Sequence, residues 1–180
     1  MNLSIDNSAI ENSFDRIARE LLTSKTLVVN GQIFRFTEIE FYYFHKDYHP
    51  DGYTHRHLRK SGEWRFHNQG IDITLEGNNV QDGGILIRGI LVDGKYVNGP
   101  IKCLQRIFEA FGKATELTSF ILKDDAARNI PIIKTIRHLP NSIKHDAFHD
   151  KLYRYLVEFE KLTIPAPSRI NIQSKHLRVA

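Results

Sequence analysis

Lys25-Thr-Leu-Val-Val-Asn30-Gly31-Gln-Ile-Phe-Arg-Phe-Thr37-Glu38-Ile39-Glu40-Phe41-Tyr42-Tyr43 is the stretch on which the fold turns. Asn30-Gly31 stands between two runs rich in β-branched and aromatic residues. A type I′ turn needs positive φ at both central positions, so this spacing predicts a hairpin. The second strand then continues from Gln32 through Tyr43. Alternation along it puts Glu38, Glu40 and Tyr42 on one face, and Ile39, Phe41 and Tyr43 on the other. An acid flanked by rings and partly desolvated has its pKa raised, which equips it as a general base. The competing reading, glutamates on the wet face of an antiparallel strand, needs no chemistry.

Outward from the hairpin, Ile10, Phe14, Ile17, Ala18, Leu21 and Leu22 keep helical spacing, which predicts a helix over residues 7–22 with Asn7 or Ser8 as its cap. Residues 45–62 are polar, rich in His, Asp and Gly, and aperiodic; they read as one long loop. Two short strands are expected around Asn68-Gln69-Gly70, and a buried central strand over residues 83–92. Asn98-Gly99-Pro100 stops the chain and opens a helix over residues 101–111. A further helix is predicted over residues 115–122 and a strand over residues 130–136, with residues 152–159 either strand or helix. Pro165 and Pro167 end the ordered part. The fold class is therefore α+β: a single domain whose mostly antiparallel curved sheet carries flanking helices.

A chain of 180 residues, 41% hydrophobic and 26% charged, buries a core without help from metals or disulfides. Its single Cys103 fits a reducing cytoplasm, and no apolar run approaches the roughly 20 residues that span a bilayer. The expectation is a cytoplasmic protein without a leader and without membrane contact. A net charge of +4 favours polyanionic partners only mildly. It is uneven: residues 168–180 carry Arg169, Lys175, His176 and Arg178 and no acid. Such a tail follows a phosphate backbone or is simply a solvated end.

Several fragments, in order, resemble the alkyladenine (3-methyladenine) DNA glycosylases. Ile17-Ala-Arg-Glu-Leu-Leu22, the hairpin, and Thr37-Glu-Ile-Glu-Phe-Tyr42 resemble that family's opening. Asp51-Gly-Tyr-Thr-His55 is similar to its Asp-x-Ala-x-His loop. Gly62-Glu-Trp-Arg-Phe-His-Asn-Gln-Gly70 resembles its tyrosine-rich hairpin. Gly84-Ile-Leu-Ile-Arg88-Gly-Ile and Asn98-Gly-Pro-Ile-Lys-Cys-Leu104 resemble the strand and helix start that follow. The likeness covers residues 14–111, with an echo at Leu152-Tyr-Arg-Tyr-Leu156.

The resemblance implies a glycosylase-like domain over residues 1–162 and a basic C-terminal tail over residues 163–180. It also implies a monomer acting on double-stranded DNA in base excision repair, with neither cofactor nor metal. The target bond lies inside the duplex, so the damaged alkylated or deaminated purine must be flipped into a pocket. Tyr42, His55 and Phe66 would line that pocket, since base stacking is worth roughly 1–3 kcal/mol. Glu40 would activate the water that attacks the sugar, and Arg88 would tune its charge or reach a phosphate.

Departures stand beside these matches. Gln69 occupies the place of the tyrosine that wedges into the duplex. Glu76 falls near the asparagine that screens purines. The Thr-Pro-Arg-Asn stretch is replaced by Arg56-His-Leu-Arg-Lys-Ser61.

Outside the resemblance, His45, His49, His55, His57 and His67 crowd one stretch with Asp47, Asp51 and Asp72 nearby. Three readings stay open: solvated loop histidines, base or phosphate contacts, or a Zn site with His55 and His57 on one strand face. Lys134, Arg137 and His138 are further candidates for phosphate contacts. The rival functions are a metal-dependent hydrolase built on the His/Asp loop, and a non-catalytic nucleic-acid-binding protein on the same fold.

Overall fold

The computed structural model describes residues 1–139, 146–158, 161 and 177–179. One domain is built on a curved, antiparallel sheet flanked by two helices. Helix α1 (Ile10–Ser24) precedes strands β1 (Lys25–Val29) and β2 (Gln32–His45). The short β3 (His49–Pro50), β4 (Trp64–His67), β5 (Gly70–Thr74), β6 (Gln81–Val92) and β7 (Lys95–Asn98) follow. Helix α2 (Pro100–Phe108) leads to β8 (Phe120–Asp124), β9 (Ile132–Thr135), β10 (Arg154–Val157) and β11 (Leu177–Val179). The main path runs β11-β9-β10-β2-β6-β5-β4, with β8-β1, β3 and β7 pairing off it.

The expected hairpin forms as its turn chemistry requires, with Asn30 at φ 46° and Gly31 at φ 87°. Its long arm β2 is the spine of the sheet, bordered by β6 on one side and β10 on the other. The apolar stripe of α1, led by Phe14, lies across β2, where the Phe14 and Phe41 rings stack with centroids 4.4 Å apart. Each such fully buried side chain stabilises the fold by about 1.5–3 kcal/mol. Neither expected cap serves α1. Asn7 Oδ1 accepts from the Tyr43 hydroxyl and the Ser8 hydroxyl donates to Asp6, so the helix opens at Ala9 without a side-chain cap.

Two further expectations give way. Residues 115–119 form no helix, and the segment expected to continue it is strand β8. It pairs with β1 from Lys25↔Asp124 to Val29↔Phe120 and so covers an otherwise open edge. Residues 152–159, left between strand and helix, supply β10. Residues 45–62 are mostly irregular and mostly exposed, yet several of their side chains turn into the protein. His45, His49, Asp51 and Thr54 are all buried. The Pro165 and Pro167 boundary and most of the basic tail lie outside the described residues, except that Leu177–Val179 pair with β9.

The β2–β6 register breaks on both sides of Glu38. Phe36↔Ile90 is followed by Glu38↔Gly89 and then Ile39↔Ile87, so Thr37 and then Arg88 are extra residues. Bulges of this kind re-aim side chains. Here they gather Glu38, Glu40 and Arg88. Gly89 makes them possible, since a Cβ there would lie 2.6 Å from Thr37 Oγ1 and 2.8 Å from Glu38 Cβ.

Candidate active site

Glu38 and Glu40 are 2% and 0% exposed, so the wet-face reading of β2 fails. Two cations from neighbouring strands neutralise them. Arg88 donates from Nε to Glu38 (2.9 Å) and from a terminal nitrogen to Glu40 Oε2 (3.2 Å). Arg154, on β10, donates to Glu38 at 2.8 Å and stands 3.9 Å from Glu40. The Tyr42 hydroxyl donates to Glu40 Oε2 (2.9 Å), and the His138 backbone N–H donates to Oε1 (2.8 Å).

Burial alone would raise the pKa of Glu40. Arg88, Arg154, the His138 N–H and the Tyr42 hydroxyl outweigh it and hold the carboxyl below its ordinary value. The sequence-based expectation of a raised pKa is thus reversed: Glu40 is a fixed anion. The Tyr42 phenol moves the other way. Burial and the adjacent Glu40 charge push its pKa well up, so it stays a hydrogen-bond donor.

In front of this network lies a cavity of about 280 Å³. Tyr42 and His55, two of the three residues expected in the pocket, line it together with Arg88 and with Gln69 of the exposed β4–β5 turn. Glu40 is behind the wall and does not itself line the cavity. Three expected site residues are elsewhere. Phe66 points away from the cavity and stacks on Phe108 of α2, with centroids 5.5 Å apart. Glu76 is exposed and accepts from the Ser61 N–H. Arg137 is 2% exposed and reaches no phosphate. Its guanidinium grips Asp51 (2.6 and 3.3 Å) and sits 4.9, 5.2 and 5.3 Å from the rings of Tyr42, Tyr53 and Tyr153. Lys134, likewise proposed for phosphate, is buried against Asp15 (2.6 Å).

No family model and no curated protein matches this chain. The site must therefore be read from its own groups.

Arg65, which the sequence reasoning missed, and His67, Asp72 and His138, which it weighed only as loop or phosphate-contact groups, supply much of the cavity. Arg65 and His67 lie one step either side of Phe66 on β4, and both line it. Their alternation with Trp64 and Phe66 was a usable signal. Asp72 on β5 faces them, 3.2 Å from Arg65 and 3.1 Å from His67 Nε2. His138 lines the opposite side. Burial first, and then the Arg88 charge, lower its pKa and favour the neutral imidazole.

The histidines divide by role. His45 and His49 are core groups, and His55 and His67 belong to the cavity. His57 binds the Gly83 carbonyl through Nε2 (2.8 Å) and accepts the Arg59 N–H at Nδ1 (3.1 Å). No strand forms over residues 55–60, so His55 and His57 do not share a strand face. Among the described residues no three His, Cys, Asp or Glu side chains converge as a metal cluster. None of the described helices is long and apolar enough to cross a membrane.

Proposed function

We propose that the protein is a monofunctional, monomeric DNA glycosylase that hydrolyses the N-glycosidic bond of a damaged purine flipped out of double-stranded DNA. One observation carries the reading: an ionised, fully buried carboxylate, Glu40, is clamped by Arg88 directly behind a cavity walled by Tyr42 and His55. At about 280 Å³ the cavity is near the lower end of small-molecule sites, roughly 300 Å³, a size suited to one flat heterocycle.

The bond from the anomeric carbon to the base breaks with its electron pair leaving on the base. The sugar becomes an oxocarbenium ion, and a water oxygen then bonds to that carbon. The proton this water loses balances the one taken up by a departing deaminated base; a cationic N-alkylated base leaves neutral, and the water's proton then passes to solvent. A fixed anion in a site of low dielectric stabilises the developing cation more than it stabilises the neutral substrate. Both Glu40 oxygens are engaged by the protein, so the water is admitted when the Tyr42 hydroxyl turns from Oε2 toward the ligand.

That same engagement favours a second reading, a protein that holds a flipped base without hydrolysing its bond. Incubation with duplexes carrying hypoxanthine or 7-methylguanine, followed by alkaline cleavage at abasic sites, separates the two. Abasic product that falls at least ~100-fold in Glu40→Gln, with a cooperative thermal transition retained, supports hydrolysis. Salt-sensitive binding of the duplexes with no abasic product leaves the second reading. Neither binding nor product removes both.

A further inference from the structure

We infer that Asp72 makes the cavity selective for nucleobases whose hydrogen-bonding edge carries an N–H donor, and that bases with a bridged, donor-free edge are refused. This rests on the glycosylase reading of the same cavity and narrows its substrate class. Asp72 is 6% exposed and lines the cavity from the central part of the sheet, where it pairs with Leu86 on β6. Arg65 donates to one carboxylate oxygen at 3.2 Å and orients the group, and His67 Nε2 stands 3.1 Å from the other oxygen without a hydrogen bond to it.

Gly84, beside it in the cavity, leaves room for the carboxylate. A Cβ there would lie 3.1 Å from Asp72 Oδ2 and 3.2 Å from its Cβ. A carboxylate only accepts hydrogen bonds, and of its about four acceptor sites Arg65 uses one. A base reaching this wall must therefore bring a donor. The amino group of adenine and the ring N–H of hypoxanthine both satisfy it. 1,N6-Ethenoadenine, whose bridge consumes both nitrogens of that edge, presents C–H groups and no N–H donor to a buried negative charge. A site built around a hydrogen bond rejects the analogue that lacks it strongly. We expect discrimination of roughly 100-fold.

The test compares excision of hypoxanthine and 1,N6-ethenoadenine from matched duplexes by the wild type and by Asp72→Asn, whose amide can donate. Expected is a wild-type preference for hypoxanthine of roughly 100-fold that narrows at least ~10-fold in the variant. A merely structural role would slow both substrates alike and shift the melting temperature without moving the ratio. A wild-type ratio near one, or a ratio unmoved by Asp72→Asn, overturns the inference while excision itself stands.

If no duplex yields product, the glycosylase reading falls instead, and free adenine and 1,N6-ethenoadenine become the probes, read by saturation-transfer NMR. Binding of adenine in preference to the bridged base, lost in Asp72→Asn, keeps the selectivity. Equal binding, or none, removes it.

Discussion

Replacing Arg154 by methionine removes one of the two cations that neutralise Glu38 and Glu40, while keeping an apolar side chain of similar length in the core. The magnitude follows from burial. Arg154, Glu38 and Glu40 have side chains 2%, 3% and 0% exposed, so water cannot screen the charge left behind. Breaking a buried pair from one side costs about 3–5 kcal/mol. For a domain of this size each kcal/mol moves the melting temperature by about 2–4 °C, which gives a fall of roughly 6–20 °C.

The loss also has a sign in pH. With Arg88 alone facing two carboxylates, one of them holds its proton to a higher pH than in the wild type. The penalty is therefore greatest at pH 8 and eases toward pH 5. Differential scanning calorimetry at both pH values measures it, and Glu38→Gln added to Arg154→Met restores a one-to-one pair and recovers at least half the loss. A fall below about 1 kcal/mol at pH 8, equal at pH 5 and indifferent to Glu38→Gln, refutes the charge argument.

Gly83→Ala builds a Cβ 2.3 Å from the Tyr42 backbone oxygen, which cannot yield without breaking the β2–β6 ladder, so a loss of about 3 kcal/mol is expected in urea titrations. His49 is buried, accepting from the Tyr153 hydroxyl and donating to the Tyr43 carbonyl, and burial lowers its pKa from 6.5. The unfolded chain binds that proton more readily, so stability is level above about pH 6.5 and declines below it. The depressed Glu40 adds a second decline as pH falls below 4.5 toward its folded value. His49→Gln should shrink the first decline to the part due to His138, whose pKa burial also lowers, and leave the second, read as the urea midpoint against pH.

What the sequence disclosed follows from how local each cause is. Asn30-Gly31 announced its hairpin because left-handed backbone is a property of two residues alone. Asp93-Gly94, at φ 49° and 72°, carried the same signal for the β6–β7 hairpin and was overlooked. β8 looked helical because only pairing with β1, remote in sequence, makes it a strand. Resemblance set Arg88 beside Glu40, but the parts of Glu38 and Arg154 were invisible for a related reason: two bulges and a strand from the far end of the chain bring them in. Tyr42 was reached through resemblance together with alternation, and His55 and Arg88 through resemblance alone. Phe66 was misplaced where resemblance was followed against alternation, since Arg65 and His67 own the cavity face of β4. Arg137 read as a surface cation because nothing in its neighbours foretells three tyrosine rings and Asp51 closing over it.

That enclosure by Arg137 bears on how the cavity meets its ligand. The guanidinium fastens the segment bearing His55 to the sheet bearing Tyr42, through Asp51 on one side and the Phe41 carbonyl on the other, and it also donates to the Phe148 carbonyl in the turn before β10. The two walls are thus set at their working separation in advance, and little conformational entropy remains to be lost on association. Recognition should then proceed by lock-and-key, with the adjustment on complex formation falling to the ligand.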